Sequence, residues 1–136
     1  MTQASQKVIR DILTKLTSQP FVIGGVSAKN FPDAVVLPAT TPSAELGIIP
    51  QDKGYQHPKW LLTLMMKAHA KKKILLCIDG IDALPFSEQA KFCGILKYKG
   101  LNGFAFPQET QIIVTAKQID NVSPVIKDFC LLYQAE

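Results

Sequence analysis

Two aspartates are the side chains best placed to do chemistry. Asp79 closes the apolar run Ile74-Leu75-Leu76-Cys77-Ile78, and Asp82 follows shortly after. In α/β domains that hydrolyse nucleotides, an apolar strand ending in an acid sets a carboxylate at the carboxyl edge of the sheet, near a bound magnesium ion. An aspartate there also suits a plain turn, because its side chain bonds nearby backbone amides. Phosphate chemistry further requires a glycine-rich loop whose amides and lysine cradle the phosphates. No segment satisfies G-x-x-x-x-G-K-[ST]. The only candidate, Gly24-Gly25-Val26-Ser27-Ala28-Lys29-Asn30, lacks a glycine before its lysine and runs into Pro32 where a helix should begin, so it reads as a turn. His57 and His69 stand apart without H-E-x-x-H spacing, and neither C-x-x-C nor G-x-S-x-G occurs. The residue types therefore predict no catalytic group, no metal site and no cofactor.

Composition narrows the class. A chain of 136 residues fits one domain, and with 47% hydrophobic and 19% charged residues it is neither disordered nor membrane-like. Residues 74–78 form the longest apolar run, far below the ~20 residues of a membrane span. The N-terminus lacks an apolar signal-peptide centre, so a cytoplasmic location is expected. Cys77, Cys93 and Cys130 are odd in number, widely spaced and set among apolar neighbours, which reads as buried reduced thiols. The net charge is +4, yet Arg10 is the single arginine among 15 basic residues. Readers of phosphate and bases favour the planar fork of arginine, so the composition argues against a specialised nucleic-acid binder.

The elements that must position these residues follow from periodicity. Residues 3–18 carry Val8, Ile9, Ile12, Leu13 and Leu16 at helical spacing and should end before Pro20; residues 21–26 read as a buried strand. Residues 38–58, dense in proline and glycine, predict a long surface loop. Pro58 suits the first turn of a helix whose apolar face holds Trp60, Leu61, Leu64, Met65 and Ala68, and Lys71, Lys72 and Lys73 suit its C-terminus through the helix dipole. The run 74–78 is apolar at every position, as in a parallel strand covered on both faces. A helix over 86–96 with Phe86, Ala90, Cys93 and Leu96 inward, a turn at Asn102-Gly103, a strand over 111–115, a helical turn over 124–127 and a last strand over 130–133 complete the chain. This alternation predicts an α/β domain with a mostly parallel sheet.

The segments Pro58-Lys59-Trp60-Leu61 and Ile74 through Leu84 resemble the Walker B region of the AAA+ ATPases, closest to the MoxR-like branch. Residues 89–96, the turn at 100–103, Phe106-Pro107 and Ile112-Ile113-Val114-Thr115-Ala116 resemble that branch's helix, hairpin insert and sensor strand. Upstream, Phe21-Val22-Ile23 through Ser27, Phe31-Pro32-Asp33 and Leu37-Pro38 resemble the strand and loop after its first helix. The resemblance covers nearly the whole chain and implies a three-layer, P-loop-NTPase-like sheet. On this alignment Met1 begins where the phosphate loop should already have ended, so the first strand and that loop are expected to be missing. Asp79 and Asp82 are then vestigial Walker B-like residues, with Asp82 starting the next helix, and Thr115 and Lys117 lie in a vestigial sensor region. Gly80 stands where the family has its catalytic glutamate, Ala116 or Lys117 where it has the sensor asparagine, and Lys127 where it supplies an arginine finger.

These departures imply a non-catalytic interaction or regulatory module whose partner is a complete AAA+ ATPase or a second copy of itself. One alternative is the nucleotide-binding part of a split ATPase completed by another chain. A second is a nucleic-acid-binding accessory domain using Lys71, Lys72, Lys73, Lys97 and Lys99. Three structural expectations follow. The run 74–78 should be a central strand; Asp79 should face an open crevice at its carboxyl end; and the final strand, 130–133, should move inward to pair directly with 111–115, leaving it or residues 21–26 as the free edge for self-association.

Overall fold

Alternating helical and strand periodicity yields a layered α/β architecture in the computed structural model, which describes residues 1–15, 19–46, 49–51, 54–70, 73–101 and 103–136. Helix α1 (Gln3–Lys15) leads into strand β1 (Phe21–Gly24), and a link with one 3-10 turn (Ala28–Asn30) reaches β2 (Val35–Pro38). A second 3-10 turn (Ser43–Leu46) precedes the short strands β3 (Ile49–Gln51) and β4 (Gly54–Gln56), then α2 (Lys59–Ala70) and β5 (Ile74–Asp79). After the 3-10 turn Ile81–Ala83 come α3 (Phe86–Gln89) and α4 (Cys93–Tyr98), the hairpin β6 (Gly100–Leu101) and β7 (Phe104–Ala105), β8 (Thr110–Ala116), α5 (Pro124–Lys127) and β9 (Leu131–Gln134).

The main sheet has the order β2-β5-β8-β1-β9, and all four pairings are parallel. Alternate residues of each strand point to opposite faces. Val22, Leu76, Ile78, Ile112 and Val114 pack with Trp60, Leu61 and Leu64 of α2 and with Phe92, Ile95, Leu96 and Ile126. Phe21, Ile23, Cys77 and Ile113 pack on the other side with Ile9 and Ile12 of α1 and with Val26 and Phe31 of the link. Every residue of β8 is buried, including Gln111, whose Nε2 donates to the Gln19 carbonyl at 3.0 Å. Among the described residues, no helix is long and apolar enough to cross a membrane.

The run 74–78 is internal, as its unbroken apolarity predicts. The position of the last strand is different from the expectation. β9 does not pair with β8, because β1 lies between them, with Val22 opposite both Val114 and Leu132. The free edges are β2 and β9, and β1 is an interior strand. Chain length permits this. From β1 to β2 the link 25–34 must cross ~14 Å, three strand spacings of ~4.8 Å, and return along a short strand, while extended chain reaches ~3.3 Å per residue. No crossover helix is needed to carry the chain that far.

Other boundaries shift for local reasons. The first strand stops at Gly24 because Gly25 turns the chain at φ 81°, and residues 16–18 of the expected first helix lie outside the described residues, as do Lys71 and Lys72. Residues 38–58 are not an unbroken loop. β3 and β4 form an antiparallel pair within them, and Pro50 is tolerated there because a two-stranded ladder leaves positions that need no amide. The helix expected over 86–96 instead tightens into a 3-10 turn at Ala90–Phe92 between α3 and α4. The change from 3.6 to 3.0 residues per turn resets its face, so Phe92 and Leu96 point inward while Phe86 and Ala90 are exposed. Strands β6 and β7 confirm the turn around Gly103, whose φ is 82°; Asn102 lies outside the described residues.

All three thiols are free; Cys77 and Cys130 are buried, and Cys93 is only half-buried. Burial, reinforced by the charge of Asp79, pushes the Cys77 thiol up to about 12. Burial, with Cys93 beside it, pushes Cys130 up to about 12. Their neutral forms are favoured by the fold, so their contribution is fully present below the ordinary thiol value and is lost as pH rises through the folded one. Urea midpoints should therefore fall between pH 9 and pH 12, and the Cys77→Ala variant should show a smaller alkaline loss than the parent protein.

Candidate functional site

Ligands of open parallel sheets collect at the carboxyl ends of the strands. At that edge β5 delivers Asp79 as its last residue, β8 delivers Thr115, and the link after β1 passes across both. Asp79 Oδ1 accepts the Ala28 amide at 2.8 Å and the Thr115 hydroxyl at 2.8 Å. Thr115, wholly buried, accepts in turn from the Gly80 amide at 3.0 Å. The expected open crevice at Asp79 is thus bridged by the chain's own backbone.

Asp82 does not start a helix in the manner expected. Gly80, at φ 75°, caps the 3-10 turn Ile81–Ala83 through a left-handed bend that carries Asp82 toward the end of β8. There its Oδ2 accepts the Lys117 amide at 2.9 Å. The role of Lys117 at this edge is therefore through its backbone, while its side chain is exposed. Thr115 and Asp79 are brought together; Lys127, half-buried in α5, makes no hydrogen bond to them among the described residues.

The amides of residues 25–31 decide what this edge can bind. Gly25 donates to the Ala116 carbonyl at 2.8 Å and is shared with that of Lys117. Ser27 donates to Asn30 Oδ1 while Lys29 donates to Ser27 Oγ, the reciprocal pattern of a capping box. Ala28 donates to Asp79, Asn30 to the Ser27 carbonyl and Phe31 to the Ala28 carbonyl. A phosphate loop works by offering such amides to the ligand. Here each of these six already has a protein acceptor.

Gln134 is a further residue of this edge that sequence reasoning missed. It lies opposite Gly24 in register, and its side-chain amide rests on Gly24 so closely that a β-carbon there would collide with Oε1. The same oxygen accepts the Ile119 amide at 3.1 Å. Its place at the end of the last strand was a clue only once β9 was known to flank β1. Among the described residues, no group of three or more His, Cys, Asp and Glu could hold a metal ion. Compared with known proteins, the sequence matches no protein-family model and no curated protein.

An Asp79→Asn variant keeps an oxygen acceptor for both donors, and chemical denaturation should find it within ~1 kcal/mol of the parent. Asp79→Ala strands the Ala28 amide and weakens the hold on Thr115, and should cost ~1–3 kcal/mol in the same measurement. Gly80→Ala meets no neighbouring atom but must adopt a left-handed backbone, which predicts a loss of ~1–2 kcal/mol.

Proposed function

We propose that this chain is a non-catalytic AAA+-like interaction or regulatory module, whose partner is a complete ATPase of the same kind or a second copy of itself. The observation that carries the reading is the internal commitment of the loop amides at residues 25, 27, 28, 29, 30 and 31. The strand order β2-β5-β8-β1-β9 supports the family resemblance in a revised form. The resemblance gives the strand before the phosphate loop a place between the sensor strand and the final strand, and β1 occupies that place. In this reading the first strand is retained, and the link 25–34 replaces both the phosphate loop and the helix after it.

Asp79 then serves as a structural acceptor, and Gly80 offers no side chain to orient a water. Interaction surfaces remain: the free edge β9 carries Leu131 and Leu132, exposed on opposite faces of the sheet, without a proline or a charge within the strand. The split-ATPase alternative requires the committed amides to be released to phosphate by another chain. Titration of the protein with a fluorescent ATP analogue and magnesium tests the reading. No saturation is expected; binding in the micromolar range would overturn it and favour the nucleotide-binding alternative.

A further inference from the structure

Helix α4 and the β6–β7 hairpin face each other across an open groove of about 550 Å³, a volume within the range of ligand-binding sites. Leu46, Ile95, Tyr98, Leu101 and Phe104 give it an apolar lining, and Lys91 enters at one side. Its walls are held from behind. Phe106 donates its amide to the Lys99 carbonyl at 2.8 Å and stacks edge-on against Trp60, fixing the base of the hairpin. Trp60 Nε1 donates to the Glu45 carbonyl at 2.8 Å, which fixes the turn that carries Leu46. The groove is therefore built into the fold.

Gly94 marks its floor. It sits inside the helical run 86–98, where glycine is a poor helix former, yet a β-carbon added there would meet nothing within 4 Å. Packing within the chain gives no reason for its lack of a side chain. An approaching ligand backbone does, because the helix can be touched closely at that point. Tyr98 and Phe104, 70% and 49% exposed, stand at the rim as large aromatic surfaces of the type concentrated in protein interfaces.

Charge selects the occupant. Residues 91–105 hold Lys91, Lys97 and Lys99 and no acid. Lys91 Nζ donates to the Thr41 carbonyl at 2.7 Å, which orients the cation without neutralising it. Lys97 Nζ lies 5.1 Å from the centroid of the Tyr98 ring, so a second cation overhangs the wall. No acidic residue lines the groove among the described residues.

We infer that this groove docks an acidic amphipathic segment of a partner protein, with apolar side chains between Ile95 and Leu101 and carboxylates toward Lys91 and Lys97. The inference rests on the interaction-module reading and names the surface that module uses. Rim aromatics that project beyond the cavity favour a polypeptide, which reaches past the groove, over a small amphiphile confined to it.

Selection from a displayed random-peptide library tests it, with the intact chain as bait and a Gly94→Leu variant for counter-selection. Gly94→Ala serves as the folding control and should raise the melting temperature, since alanine favours the helix and meets no neighbour. Recovered peptides should combine Leu, Phe or Trp with Asp or Glu. They should bind Gly94→Leu at least about tenfold more weakly and lose affinity with Lys97→Glu. Failure to recover any sequence that distinguishes the parent from Gly94→Leu, or recovery of binders without an acidic excess, overturns the proposal. Saturable binding of dodecanoate without peptide binding overturns it in favour of a small amphiphilic anion. Either failure removes the groove and leaves the nucleotide titration to judge the broader reading.

Discussion

Asp79 Oδ1 accepts the Ala28 amide and the Thr115 hydroxyl, each at 2.8 Å, and through that one atom three separate parts of the chain are joined. β5 supplies the carboxylate, β8 the hydroxyl and the link between β1 and β2 the amide. Charge-assisted bonds of this kind are stronger than neutral ones, and a buried hydroxyl such as that of Thr115 is costly to leave without a partner. The path of the link depends on them. Once Ala28 is held at the carboxyl edge, the amides of Gly25 and of residues 27–31 meet acceptors within the chain, and Val26 and Phe31 fall against the face that α1 also covers.

That arrangement engages Asp79 with donors of the chain itself. A carboxylate at the end of a central strand is useful to a metal ion only if its oxygens and the opposing loop amides remain available. Here six of the loop amides have acceptors within the chain, and Gly80 has adopted a left-handed bend that hands Asp82 to the Lys117 amide. Gln134, packed on Gly24 and bonded to the Ile119 amide, closes the neighbouring part of the same edge. The carboxyl edge becomes a set of reciprocal backbone locks.

Exposed apolar surface lies on β9, whose last residue Gln134 belongs to those locks, and beside α4. β9 ends the sheet with two exposed leucines, and the groove beside α4 is floored by a glycine with free space above it. Apolar surface of this kind, bordered by lysines, is more costly in water than a polar exterior, and a docking partner would relieve that cost. The groove owes its shape to the 3-10 tightening at Ala90–Phe92. By turning Phe92, Ile95 and Leu96 to the core, it leaves Gly94 and Tyr98 facing out.

The sequence by itself determined the elements whose residues report on their own surroundings. Ile74 through Ile78, apolar at each position, read as an interior strand; Pro58 and the spacing of Trp60, Leu61 and Leu64 marked a helix; Asn102-Gly103 marked a hairpin. It also excluded a recognisable phosphate loop, since that chemistry requires particular residues at fixed spacing. Strand order was beyond it, because periodicity says which face a residue buries and nothing about which strand lies alongside. Val35 through Pro38 carries no clear strand signal, being too short to show a period and ending in proline. Only the tertiary structure decided that β1 separates β8 from β9, that Asp79 is bonded to Ala28, and that Gln134 lies on Gly24. Each of those contacts joins residues far apart in the chain, and long-range pairing is set by how the whole core closes.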